Sequence, residues 1–159
     1  MKNVRFMVQG ALIAAIYAVL TVAFAPISYG PLQVRISEAL TVLPFFTPAA
    51  IPGLFIGCII ANLYGMLMGM GAGMLDVVFG SLATLLAAYL SYKMPKKWLV
   101  PLPPVVVNGV VVGLMLYYVL QLPLLATMGW VALGELVACY VIGYPLILVL
   151  NIYKDKIFR

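Results

Sequence analysis

Apolar residues run almost unbroken along this chain, and the breaks between runs are short. The runs at residues 6–25, 75–92, 102–120 and 128–152 each approach the roughly 20 residues an α-helix needs to cross the hydrocarbon core of a bilayer. Two shorter runs, 37 to about 46 and 52 to about 64, flank a stretch broken by Pro44, Pro48 and Pro52. The prolines leave open whether residues 37–64 form one kinked span or two short ones. Residues 26–36, with Pro, Gly and Ser, read as a loop, and residues 66–73, rich in Gly and Met, as a linker. The first run ends in Ala23-Phe24-Ala25, which resembles a signal-peptide cleavage site. It exceeds the roughly 7 to 15 apolar residues of such a peptide and is read as a retained span.

The basic residues decide the count. Cytoplasmic flanks of membrane spans are enriched in Lys and Arg. With six spans, the N-terminus (Lys2, Arg5), the loop at Lys93, Lys96 and Lys97, and the tail (Lys154, Lys156, Arg159) all face one side, eight of the nine basic residues. With five, the last two groups would lie on the opposite side from the first. The expected architecture is therefore an all-α integral membrane protein, a single domain over 1–159, with six transmembrane helices and both termini cytoplasmic. Helices 2 and 3 of that set are expected to be short, tilted or irregular. Arg35 is the one basic residue left outside.

Composition agrees: 66% of residues are hydrophobic, 8% are charged, and mean hydropathy is +1.19, far from the roughly 45 to 50% apolar usage of soluble domains. The net charge of +5 marks orientation rather than nucleic-acid binding, since no basic run exceeds two residues. Histidine is absent and the two cysteines, Cys58 and Cys139, lie inside apolar runs, so they read as packing groups and no metal site or resident cofactor is expected. No phosphate-binding GxxxxGK[ST] loop occurs, so any ATP-driven work belongs to a partner.

Scarce charge makes each acid informative. Glu38 opens helix 2, Asp76 opens helix 4 and Glu135 lies about two turns into helix 6, all in the outer half of the six-span arrangement, while Asp155 belongs to the tail. Asn62 is late in helix 3 and Asn108 lies towards the middle of helix 5. Charged and amide groups at membrane depth are costly unless they face protein or a wet cavity, so their shared level points to one polar pocket open to the outside. Plainer accounts exist. Ser37 and Glu38 fit a helix start, where a hydroxyl caps and a carboxylate suits the dipole, and Asp76 has a similar excuse. Glu135, inside an apolar helix, has none. A buried pair between Arg35 and one acid is a structural alternative, yet three acids against one Arg leave negative charge that a cationic ligand would offset.

Tyr17, Tyr29, Tyr64, Phe79, Trp130, Tyr140 and Tyr144 can either stack on a flat ligand or form the interfacial aromatic belt. In helix 1, small residues recur at spacing four in two series, Gly10, Ala14 and Ala18, and Ala11 and Ala15. Either series allows close approach of another helix, inside the protein or on a partner.

The stretches "ALIAAIYAVLT", "VRISEALTVLPFF", "GCIIANL" and "LDVVFGSLATLLAA" resemble the QueT family, substrate-binding S-components of energy-coupling factor (ECF) transporters taken to import queuosine precursors. The motifs cover about residues 10–86; beyond that the likeness rests on length and layout. The resemblance implies that the chain is not an enzyme but binds its ligand from outside the bacterial cytoplasmic membrane, while a transmembrane coupling subunit and two ATPase subunits power uptake. It implies that an alanine pair on helix 1 meets the coupling subunit, with Ala11 and Ala15 matching and Ala14 and Ala18 as a second register. The implied ligand is preQ1, a flat, cationic aminomethyl deazaguanine. Glu38 and Glu135 are then the principal acids, Asp76 the third, Asn108 and Asn62 readers of the base, and Arg35 an organiser of the loop above. A carboxylate can accept two hydrogen bonds from the guanine-like edge, and a second can pair with the ammonium. Rivals are an S-component for another vitamin or base, a small membrane enzyme using the outer carboxylates, and a passive channel.

Overall fold

A computed structural model of the chain describes residues 2–30 and 33–157. Pro31 and Leu32 of the expected loop, the side chain of Lys2, and Arg159 of the basic tail lie outside the described residues. The described residues are mostly helical, the rest turn or irregular, with no strand. In order they are α1 (Lys2–Ala23), the short α2 (Ala25–Ser28), a 3-10 helix (Ile36–Phe45), α3 (Ala50–Leu67), a π segment (Asp76–Gly80) running into α4 (Ser81–Lys93), a 3-10 turn (Lys97–Leu99), α5 (Leu102–Leu120), α6 (Leu124–Leu136), a second π segment (Val137–Gly143) and α7 (Tyr144–Ile157). Among the described residues, four helices are long and apolar enough to cross a membrane: Asn3–Ala23, Ala50–Leu67, Lys97–Leu120 and Leu124–Ile157. The chain is thus a helical membrane protein.

The region left ambiguous by its prolines resolves into two helices, and the first is wound as a 3-10 helix through Pro44. At about 2.0 Å per residue this winding stretches ten residues to about 20 Å, where an α-helix would reach about 15 Å. The three-residue period stacks Glu38, Thr41 and Pro44 in one row, all buried, and no residue of Ile36–Phe45 is exposed. A helix buried all round is a core element. It packs on α1, α4 and the second π segment, where a Cβ on Gly143 would stand 3.1 Å from the Ala39 carbonyl oxygen.

Close packing around this core depends on two glycine pairs. A Cβ on Gly53 would lie 2.6 Å from the Gly10 carbonyl oxygen, and one on Gly57 2.8 Å from that of Ala14, so α3 lies directly on the backbone of α1. Gly109 and Gly113 do the same for α5 on α6, against Ala132 and Met128. Without a hydrophobic drive between helices in lipid, such contact supplies much of the association energy. At one end, Val42, Val100 and Ile147 form a cluster with Phe46 and Met94, Thr47 bonds Gln9, and Arg5 donates to the Ile157 carbonyl at 3.3 Å. The ends of α1, α4 and α7 that carry Arg5, Lys93 and Lys154 therefore gather together.

Candidate functional site

The inward face of α1 carries Ile13, Tyr17 and Thr21 at helical spacing four, all buried. Tyr17 donates its hydroxyl to Glu38 Oε1, and Thr21 bonds Ser37 at 2.7 Å. Ser37 therefore does not cap the helix that begins beside it, and the capping account of this stretch is set aside. From α4, the Thr84 hydroxyl reaches the same Glu38 Oε1 at 3.3 Å. From α5, Asn108 donates to Glu135 Oε1 on α6 at 3.0 Å. The Cys139 thiol sits 3.6 Å from Glu135 Oε2 and 3.4 Å from the Glu38 carbonyl. Glu38 and Glu135 feel each other's charge, and both feel Arg35.

A second group joins the first through Cys58, whose sulfur lies 3.4 Å from Thr84 Oγ1, 3.3 Å from Asn62 Nδ2 and 3.9 Å from an Arg35 nitrogen. Asn62 donates to the Asp76 carbonyl at 2.8 Å, fixing α3 to the π segment. Asp76 Oδ2 accepts the Ala72 N–H at 2.6 Å, and Asp76 Oδ1 faces Arg35 at 3.7 Å. Arg35 lies over the Tyr29 ring at 5.7 Å, and Tyr29 in turn donates to the Ala61 carbonyl at 2.5 Å. A cavity of about 120 Å³ lined by Tyr29, Gln33 and Gly71 lies above this group. The backbone of Gly71 has φ +71°, and a Cβ there would meet Asp76 Oδ2 at 2.5 Å, so glycine is required for the turn to close on the carboxylate.

All six residues expected to form the site are buried: Glu38 is 1% exposed, Asn62 1%, Asp76 2%, Asn108 2%, Glu135 3% and Arg35 5%. The hydrogen bonds above connect them into one network. Among the described residues, the buried side-chain atoms without a hydrogen-bond partner include Glu38 Oε2, Asn62 Oδ1, Asp76 Oδ1 and Asn108 Oδ1. Leaving a buried acceptor unmatched costs about 1–3 kcal/mol. Three of these oxygens, on Glu38, Asn62 and Asn108, have neither a hydrogen-bond nor an ion-pair partner, whereas Asp76 Oδ1 faces Arg35.

The aromatic candidates divide. Tyr17 and Tyr29 belong to the network, whereas Phe79 and Trp130 are exposed on the outside of the bundle. Tyr140 donates to the Trp98 carbonyl, and Tyr144 packs on the Val42–Ile147 cluster. Sequence reasoning passed over Thr84 and Thr21, and read Tyr17 only as a stacking or belt residue. Among the described residues, no three of His, Cys, Asp and Glu are placed to hold a metal ion. The two series of small residues also separate: Ala14 and Ala18 are buried, Ala14 lying against Gly57 of α3, while Ala11 and Ala15 are exposed.

A helical membrane protein that seals a donor-hungry polar network in its interior has the build of a solute-binding transport protein. Residues 7–152 match the sequence profile of the family described as QueT transporter. A relative from Lactococcus lactis subsp. cremoris (strain MG1363), the queuosine precursor transporter QueT, is 31% identical over 147 aligned positions, covering 82% of this chain and 83% of the relative. The chain belongs to the QueT transporter family. No solved structure matches it significantly.

Proposed function

We propose that the chain is the S-component of an ECF-type importer that captures preQ1 outside the cell and delivers it inward when two ATPase subunits act through a transmembrane coupling subunit. The observation that carries this reading is the set of unmatched acceptor oxygens on Glu38, Asn62 and Asn108. PreQ1 is flat and cationic, and its ring and ammonium N–H donors outnumber its acceptors, so it supplies what those oxygens lack. With Asp76 paired to Arg35, Glu38 and Glu135 are two further interior carboxyl groups that a cationic ligand can pair with. The relative's name supports a queuosine precursor as the substrate class. Tyr29, Arg35 and the Gly71 turn form the outer cover. Six spans with both termini cytoplasmic accord with the gathering of basic helix ends. The 3-10 helix and residues 76–93 make up the two spans beyond the four long ones. The exposed Ala11 and Ala15 suit the docking of the coupling subunit. No chemical step on the ligand is assigned.

Calorimetric titration of the purified chain with preQ1, its cyano precursor and guanine tests the reading. Binding of preQ1 with the cyano compound about a hundredfold weaker or more is expected, since the lost ion pair goes uncompensated. Failure of all three to bind would overturn the substrate and leave the family standing.

A further inference from the structure

The three interior acids are tethered differently. Glu135 has both carboxylate oxygens in contact with protein, Oε1 with Asn108 at 3.0 Å and Oε2 with the Cys139 thiol at 3.6 Å. Asp76 gives Oδ2 to the Ala72 N–H and turns Oδ1 towards Arg35 at 3.7 Å. Glu38 receives two hydroxyl donors, Tyr17 and Thr84, on the same oxygen, Oε1, and the Asn108 side chain lies close to the carboxylate, while Oε2 makes no hydrogen bond of ordinary geometry and is sealed from solvent. Two donors converging on one oxygen leave the carboxylate little freedom to rotate, so the identity of the bare oxygen is fixed. The Tyr17 hydrogen is committed to Glu38. The single Thr84 hydrogen is shared among Glu38 Oε1, the Gly80 carbonyl at 3.2 Å and the Cys58 sulfur at 3.4 Å, which makes Thr84 the weaker tether.

We infer that Tyr17 and Thr84 are positioning residues that hold Glu38 so that its single free oxygen Oε2 is the direct ligand contact, while Glu135 balances charge from behind Asn108. This deepens the reading given under Proposed function and rests on it for the ligand. It replaces a two-point grip on the guanine-like edge by a one-oxygen contact at Glu38. The neighbouring acceptors Asn108 Oδ1 and Asn62 Oδ1 then supply the further points of recognition. Specificity accordingly arises from three separate side chains.

Two measurements test this. The first needs no ligand. The infrared difference spectrum of wild type against Glu38→Gln isolates the Glu38 carboxylate band, and Tyr17→Phe and Thr84→Val, but not Thr84→Ser, should shift that band. A band unmoved by Tyr17→Phe and Thr84→Val overturns the tether. The second is a double-mutant cycle in preQ1 affinity. Tyr17→Phe is expected to weaken binding about tenfold in the wild-type background and to have no further effect on Glu38→Gln, because it acts through that carboxylate. Equal losses in both backgrounds, or a larger loss in Glu135→Gln than in Glu38→Gln, overturn the inference. If wild type binds no preQ1, the substrate reading falls and the infrared arm alone decides the tether. If Tyr17→Phe does not fold, the contrast of Thr84→Val with Thr84→Ser carries both arms.

Discussion

Arg35 and Asp76 face each other at 3.7 Å with both side chains almost sealed from solvent, so removing one charge strands the other. Breaking a buried pair from one side typically costs about 3–5 kcal/mol. Arg35→Gln should therefore lower the thermal midpoint of the purified protein strongly, and Arg35→Gln with Asp76→Asn should recover much of the loss. A double variant as unstable as the single one would show that Arg35 matters through the Ser28 carbonyl and the Tyr29 ring. Residue chemistry of this kind was largely legible in the sequence. Three acids, two amides and one arginine at a common depth are costly separately and therefore point to one another. Thr84 and Tyr17 were not legible. A threonine in a membrane helix commonly bonds its own backbone, as Thr84 also does at Gly80, and a tyrosine fits the aromatic belt equally well. The available clue was the spacing of Ile13, Tyr17 and Thr21 on one face of α1.

The existence and rough extent of the long helices were read from the sequence, because an apolar run of sufficient length has no other stable helical form in lipid. Their ends were missed by up to five residues, as at Leu124–Ile157 against the expected 128–152. The irregularity of the 3-10 helix was expected from its prolines but not its winding, and the two π segments were not expected at all, since hydrogen-bond spacing leaves no mark on hydropathy. Close packing between elements offers a direct check. Gly57→Val would drive a Cβ into the Ala14 carbonyl oxygen at 2.8 Å and the Tyr17 Cβ at 2.9 Å, prying α1 from α3. The expected cost is about 2–3 kcal/mol, seen as a lower thermal midpoint. Binding should weaken as well, because Tyr17 moves with α1. Gly129→Ala, on α6 with nothing within 4 Å of the added Cβ, is the matching control and should be neutral or slightly stabilising.

At the scale of the whole molecule, the docking role proposed for the outer surface of α1 predicts that recognition of the solute can be separated from its delivery. Ala15 is exposed and belongs to no part of the polar network. Ala15→Trp should leave preQ1 affinity of the isolated chain within about twofold, as for an ordinary surface change, while abolishing ATP-dependent uptake in cells that express the partner subunits. Uptake at the wild-type rate would move the coupling interface elsewhere. The π segment Val137–Gly143 has a consequence at this same scale. Along the last helix the buried residues Val131, Glu135, Cys139, Gly143 and Ile147 recur every fourth position. On a regular α-helix each such step drifts about 40°, so Val131 and Ile147 would end about 160° apart. A π turn takes up about one residue without advancing the phase, which removes about 100° of that drift. The widened turn thus acts as a phase corrector. One continuous helix can turn a carboxylate towards the polar network and, twelve residues on, an isoleucine towards the cluster at the other end, so the two ends of the protein share a single rotational setting.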